Sequence, residues 1–330
     1  MRLGFFTRVL DDAPAGERYR LAAEQIAHAE AHGFDSAWVA QHHFDGSEGG
    51  LPAPLVLLSH VAARTSRIRL GTGIITLPLE DPVRVAEDTA VLDLLTGGRL
   101  EIGVGSGGTP SSFAPFGRDS ARRSADYAEH LALLLKAWAG GDLGGGNRLY
   151  PPAPRLPGAV WEATFSVAGG ARAGRAGHGL MLSRTQPRPA DDPQASLADI
   201  QRPIVDAYLD HLPPGAEPRI AASRTAFVAD SRAEALRYAE LGLGRGRLPF
   251  ELPSDDLDSR IAAFDVHLGT PEDVVESLRA DPTLDRATDL VLQVHSVDPP
   301  HPLILRSIEL LATEVAPALG WLPSTESSTA

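Results

Sequence analysis

The chain has no cysteine in its 330 residues, which excludes disulfides, thiolate metal sites and cysteine nucleophiles together. It has no uninterrupted apolar run of 18 or more residues, so a membrane-spanning helix is not expected. It lacks any surplus of positive charge. With 43 acidic against 30 basic side chains the formal charge is −13, which argues against a polyanionic partner such as nucleic acid. At the N-terminus RLGFFTRV reads as a strand, with no apolar h-region or small-residue cleavage site. A soluble, cytoplasmic globular protein is expected. No linker long enough to separate two domains interrupts it.

What is present is alternation. Strand patterns are expected at 2–8, 35–41, 67–76, 99–105, 159–165, 179–184, 219–229 and 288–295. Helices are expected at 17–32, 53–64, 82–96, 120–139, 167–176, 196–211, 231–244, 271–280 and 302–316. Gly33 and Gly97–Gly98 stand as helix stops, and Pro82 stands in a first turn, where its missing N–H costs nothing. Eight βα repeats favour a closed barrel over an open doubly wound sheet. The expected fold is α/β, a (β/α)8 TIM barrel with insertions at the C-terminal face. Its excursions are 106–118, 140–158, 185–195 and 245–260; residues 1–320 form one domain and 321–330 a frayed tail.

A βαβ unit leaves both strand ends open on the same side. Around residues 35–107 those ends carry His42, Gly71–Gly73 and Gly103–Gly108, an apolar-walled pocket with one titratable side chain. Strand alternation sends His42 and His43 to opposite faces, so the pair is not expected to line the mouth together or chelate one metal. A barrel metallohydrolase would place histidines two apart. His42 is either satisfied by hydrogen bonds at its strand end or acts as an acid or base, and Gln41 either donates to a ligand or caps the strand. GSGG at 105–108 is not a dinucleotide fingerprint, because no helix follows at once. In ATFSVAGGARAGRAGHG (163–179) Ser166 has the position of an N-cap, followed by Gly169 and Gly170. That segment is either a short helix whose bare amides hold a phosphate or a poorly formed surface turn. Arg172 and Arg175 either add charge there or face solvent. Phe5, Phe6, Phe113, Phe116 and Trp161 either line the pocket or belong to the core.

Four blocks carry a resemblance: QHHF (41–44), GTGIITLP (71–78), DPVRVAEDTAVLDLLTGGRLEIGVGSG (81–107) and FAPFG (113–117). With these, the chain resembles the bacterial luciferase-like flavin monooxygenases, most densely over 35–117 and again over 160–184. The resemblance implies a (β/α)8 barrel that binds FMN at the C-terminal ends of its strands. It implies that His42 is catalytic, and that Gln41, Gly73, Ile74, Ser106, Gly108, Ser166, Gly169 and Ser183 hold the cofactor. Gly73–Ile74 falls on a non-proline cis peptide under the isoalloxazine ring, Ser166 on a phosphate contact and Ser183 on the ring edge. Two positions depart from luciferase itself: Ser106 replaces an arginine and Gly105 a cysteine. Gln41 stands where luciferase has glutamate.

The activity implied is a two-component monooxygenase. A separate flavin reductase supplies reduced FMN, which reacts with O2 to a C4a-hydroperoxide and oxygenates a small organic substrate. The stretch 245–258 corresponds to a lid, and a homodimer forms through helices 53–64 and 82–96. The alternatives are a deazaflavin-dependent oxidoreductase on the same barrel and a non-catalytic flavin-binding protein. A metal-dependent barrel hydrolase is more distant, and no metal is expected.

Overall fold

The computed structural model describes residues 1–245, 254, 256–294 and 297–321. Strands β1 (Arg2–Thr7), β2 (Ser36–Val39), β3 (Arg69–Thr72), β4 (Ile75–Thr76), β5 (Leu100–Gly105) and β6 (Val160–Ala163) come first. They are followed by β7 (Gly179–Leu182), β8 (Ile220–Val228), β9 (Val266–Gly269) and β10 (Asp289–Gln293). All pairings are parallel, and the order β1-β2-β3-β5-β6-β7-β8 closes through β10, which pairs with both β8 and β1. The result is a closed eight-stranded (β/α)8 barrel.

Helices α1 (Ala15–Ala31), α2 (Pro54–Ala62), α3 (Pro82–Leu95), α4 (Arg123–Trp138), α5 (Val167–Ala176) and α6 (Leu197–Asp210) link the strands. The set continues with α7 (Arg232–Leu243), α8 (Leu257–Ala263), α9 (Pro271–Arg279) and α10 (His301–Leu310). Short polar side chains start several of them. Asp81 accepts from the amides of Val83 and Arg84, Ser166 from Gly169, Ser196 from Asp199 and Ser231 from Glu234, while Thr270 and Asp273 form a capping box. No helix among the described residues is long and apolar enough to cross a membrane.

Alternation sorts each strand between two cores. Outward residues such as Leu3, Phe5, Val39, Leu70, Ile102, Val104 and Leu290 pack under the helices in the main apolar cluster. Inside, Trp38 and Trp161 meet edge to face with centroids 5.6 Å apart and pack with Ala221, Val291, Phe6 and Met181. The rings fit because the facing positions are nearly bare. A Cβ on Gly71 would lie 2.2 Å from Trp38, and one on Gly179 2.3 Å from Trp161. Each indole N–H is satisfied: Trp38 donates to Ser36 Oγ (2.9 Å) and Trp161 to Glu101 Oε2 (2.6 Å).

The expected elements lie close to those observed, with three differences. The strand expected at 67–76 is split into β3 and β4 at Gly73–Ile74, whose peptide bond is cis. Helix α8 and strand β9 were not anticipated. The nine-residue β8 pairs with β10 over Ala221–Thr225, and its upper end, Thr225–Val228, takes β9 as an added partner. Finally, 140–158 follows α4 and so lies at the N-terminal end of the barrel, away from the open strand ends. Most of the expected lid (246–253 and 255) and of the expected frayed tail (322–330) lies outside the described residues.

Gly71→Ala should lower unfolding stability by about 1–3 kcal/mol, because neither the indole nor the strand has room to yield. Gly16→Ala in α1, whose Cβ would meet nothing within 4 Å, should be neutral or stabilising by up to about 1 kcal/mol. Urea midpoints check both, and equal midpoints for the two variants would refute the plug.

Candidate active site

Above the tryptophan pair the C-terminal strand ends enclose a cavity of about 330 Å³. Its floor and walls come from Phe6, Ala40, Gly73, Ile74, Ala163 and Met181, and its polar groups include Arg8, His42, Ser183, Arg184 and Gln293. A second cleft of about 390 Å³ shares His43, Thr109 and Ser112 with it and carries Asp45 and Glu48. Among its described lining residues the inner cavity has no carboxylate.

The expected residues divide into three groups. Gln41, His42, Gly73, Ile74, Gly108 and Ser183 line the cavity together. Ser106 is half-buried beside it, outside the lining. Ser166 and Gly169 also lie outside the lining, one turn beyond Ala163 and Phe165, which belong to it. Of the aromatics, Phe6 and Phe113 line the cavity, Phe5 is packed under the helices and Trp161 lies within the barrel. Phe116 stands at the rim, 42 % exposed.

Two expectations are corrected. His42 and His43 both line the cavity, because β2 ends at Val39 and strand alternation no longer holds at 42 and 43. Nor is His42 the one titratable group, since Arg8, His43 and Arg184 share the wall. Arg8, one residue past the end of β1, still continues its inward series Gly4 and Phe6. Arg184 lies two residues past the end of β7, where parity carries no signal.

Gln41 is committed within the protein. Its Nε2 donates to Pro52 O (3.2 Å) and Glu80 Oε1 (2.7 Å), and its Oε1 accepts from Thr76 N (2.7 Å). It therefore braces the chain just after the cis peptide. His42 lies under Gly49, where a Cβ would come within 2.4 Å of the ring. The loop carrying Gly49 is tied down by Arg8, which donates to Glu48 O, by Arg18 to Gly46 O (3.0 Å) and by Tyr19 to Gly50 O (2.9 Å). Burial pushes the His42 imidazole down to about 4, helped by Arg8, His43 and Arg184 and opposed by Asp45. Glu48 is 3.8 Å from Nδ1, beyond a normal hydrogen bond. At neutral pH His42 is uncharged and a weak base, with one ring nitrogen as a hydrogen-bond acceptor and the other as a donor.

Two buried networks fix the surrounding elements. Glu162, fully buried on β6, accepts from Tyr127 (2.9 Å) and Arg172 (2.7 Å) and pairs with His178 Nδ1 (2.9 Å). These contacts hold its pKa below the usual carboxylate range against the cost of burial. Arg172 thus anchors α5 from beneath, while Arg175 is exposed. Arg224 donates to Asp281 Oδ2 (2.5 Å) and Gln201 Oε1 (2.9 Å), and Gln201 donates to Ser183 O (2.9 Å). That chain places Ser183 at the cavity edge.

The histidine sets a pH dependence. Its folded pKa lies below the unfolded value of about 6.5, so the unfolded state binds more protons between the two values. Stability is then fully present above pH 6.5 and declines as pH falls towards 4, by roughly 2–3 kcal/mol from this group. His42→Gln should remove that part of the decline, measured as the difference in urea stability between pH 7 and pH 4.5. An unchanged decline would show that His42 titrates normally.

Comparison with known proteins follows the same lines. The family profile described as luciferase-like monooxygenase matches residues 1–282. An uncharacterised protein of Sinorhizobium fredii is 28% identical over 328 residues, covering 91% of each chain. Two relatives match locally. One is 4-hydroxyprotoasukamycin monooxygenase of Streptomyces nodosus subsp. asukaensis, 42% identical over 106 residues, covering 31% of this chain and 28% of the relative. The other is an F420-dependent glucose-6-phosphate dehydrogenase of Beutenbergia cavernae, 38% identical over 137 residues, covering 37% and 40%. Among solved structures, monooxygenase RslO1 from Streptomyces bottropensis superposes with TM-score 0.77 at 24% identity, covering 97% of this chain and all of that one. The oxygenating constituent of 3,6-diketocamphane monooxygenase from Pseudomonas putida, solved with FMN, superposes with TM-score 0.76 at 18% identity, covering 96% and 98%. At those identities the structures establish the fold, and the profile across 1–282 establishes the kinship: the chain belongs to the luciferase-like monooxygenase family.

Proposed function

We propose that the protein is an FMN-dependent monooxygenase in which reduced FMN and O2 oxygenate a small organic substrate, with His42 as the catalytic residue. The observation that carries this reading is the cavity itself, a wall of small residues beside a half-buried, uncharged histidine. Ala40, Gly73, Gly107, Gly108 and Ala163 leave room for a planar ring system, and Phe6, Ile74, Leu79, Phe113 and Met181 keep the space apolar. The residues fit the group. Gly73, Ile74 and Gly108 would lie against the ring and Ser183 at its edge. The first amides of α5, Val167 and Ala168, would receive the phosphate beside Ser166, whose Oγ and O accept from Gly169 and Gly170.

Bound reduced FMN supplies the electrons that activate O2, so that one oxygen atom enters the substrate and the other leaves as water. The protein's own residues bind, orient and exclude water. His42 holds or accepts a proton beside the reacting atoms, and Gln41 braces the wall behind it. A flavin reductase would deliver the reduced cofactor. A homodimer is supported by the apolar side chains exposed on α2 and α3, Val56 (72 %), Leu94 (63 %) and Leu95 (65 %).

A second reading, deazaflavin-dependent hydride transfer, is favoured by the F420-dependent relative. Stopped-flow absorbance separates the two. Protein with photoreduced FMN, mixed with oxygenated buffer, should show a transient species before oxidised flavin returns. Single-phase return at the rate of free flavin would overturn the FMN reading, and tight binding of the deazaflavin would then establish the other.

Two variants test the site. His42→Ala should lower coupled oxygenation by about 10²–10⁴-fold with FMN affinity nearly unchanged; unchanged turnover would remove His42 from the chemistry. Ser166→Asp keeps an N-cap acceptor for α5 while placing a carboxylate where the phosphate is proposed. FMN affinity should fall, and an unchanged dissociation constant would move the phosphate elsewhere.

A further inference from the structure

We propose that Glu48 is a positioning residue for His42: its carboxylate holds the single proton of the neutral imidazole on Nδ1 and so leaves the Nε2 lone pair for the cavity. The inference rests on reading this cavity as the active site of a flavin enzyme, and it names the group that sets His42 for its part there.

Glu48 Oε2 lies 3.8 Å from His42 Nδ1 and accepts from Thr109 Oγ1 (3.1 Å). The carboxylate therefore stands between two loops, the one after β2 that carries His42 and the one after β5 that carries Gly107 and Gly108. His42 belongs to the wall of the inner cavity, whereas Glu48 lines the outer cleft. The ring thus has a carboxylate on one side and the space for the ligand on the other.

The backbone around the pair admits little swing. Glu48 N donates to Asp45 O (3.2 Å), Gly50 N to Arg8 O (3.0 Å) and His42 N to Leu51 O (3.0 Å). These bonds add to the ties that Arg8, Arg18 and Tyr19 make to the same loop. Gly49 packs on the Cδ2 edge of the ring, where any Cβ would collide. The Glu48 side chain, in contrast, is 41 % exposed. It has room to close the remaining gap, as the hydrogen bonds of catalytic groups do when a site is filled.

The charge on Glu48 selects between the two neutral forms of the ring. With the proton on Nε2, the lone pair of Nδ1 would face a carboxylate oxygen, which is repulsive. With the proton on Nδ1, the N–H dipole points at the negative charge. The other charged or titratable groups around the ring are Arg8, His43 and Arg184, which lower its proton affinity, and Asp45, which raises it. Asp45 is engaged elsewhere, accepting from Ser47 N (2.8 Å) and Ser47 Oγ (2.6 Å). Those four groups set how readily the ring takes a second proton; Glu48 sets which nitrogen keeps the first. A carboxylate has the same effect on the histidine of a hydrolytic triad, where it fixes tautomer and orientation.

The test is nitrogen NMR of protein labelled at histidine, at neutral pH, with and without saturating FMN. His42 is assigned by the signals lost in His42→Gln. The wild type should show the Nδ1–H tautomer at His42 in both states. Glu48→Ala should move roughly half or more of the population to Nε2–H. Glu48→Asp, which keeps the charge on a shorter arm, should retain part of the preference. Unshifted signals from the other histidines, His178 and His301 among them, would show that the fold is intact. An Nε2–H tautomer in the wild type would overturn the proposal without any variant, and so would an unchanged Nδ1–H tautomer in Glu48→Ala. On the flavin reading, Glu48→Ala should also lower coupled oxygenation by about tenfold or more with FMN affinity nearly unchanged; undiminished turnover would overturn the positioning role. If the tautomer responds as stated while FMN neither binds nor yields a transient species on mixing with oxygen, the monooxygenase reading fails and the Glu48–His42 pair stands.

Discussion

The edge-to-face contact of Trp38 and Trp161 divides the barrel. Two indoles fill the width of a small parallel barrel only if the strands opposite them carry almost no side chain, which is the role of Gly71 and Gly179. Below the rings lie the pairs Arg2–Asp289 and Arg69–Glu101, the latter also holding the Trp161 N–H through Glu101. Above them Phe6 and Met181 cover the plug and become the cavity floor. Stability chemistry and ligand chemistry are thereby kept at opposite ends of the same strands, as is general for this architecture.

The two ends handle charge differently. At the lower end, and in the networks around Glu162 and Arg224, each buried ion meets opposite charge at hydrogen-bond distance. At the cavity the cations share a wall with neutral histidines, and Glu48 stays 3.8 Å from His42. The buried chain Arg224–Gln201–Ser183 belongs to the structural kind yet ends on a cavity residue, so it sets the edge of the site without titrating into it.

Much of this was legible because it rests on periodicity. The eight barrel strands, the helices between them and the cap residue Ser166 follow from two-residue and 3.6-residue patterns and from a short polar side chain before a helix. Gln41, His42, Gly73, Ile74, Gly108 and Ser183, singled out largely by the family resemblance, line one cavity because strand ends converge in such a barrel. What failed depends on where a strand stops. Parity predicted opposite faces for His42 and His43 but lapses after Val39, and for the same reason Arg184 gave no sign of turning inward. β9 escaped notice because four residues with a histidine and a terminal glycine carry little strand signal; it exists through the extra length of β8. That Gln41 is occupied by Pro52, Glu80 and Thr76 is a property of packing, which no one-dimensional pattern contains.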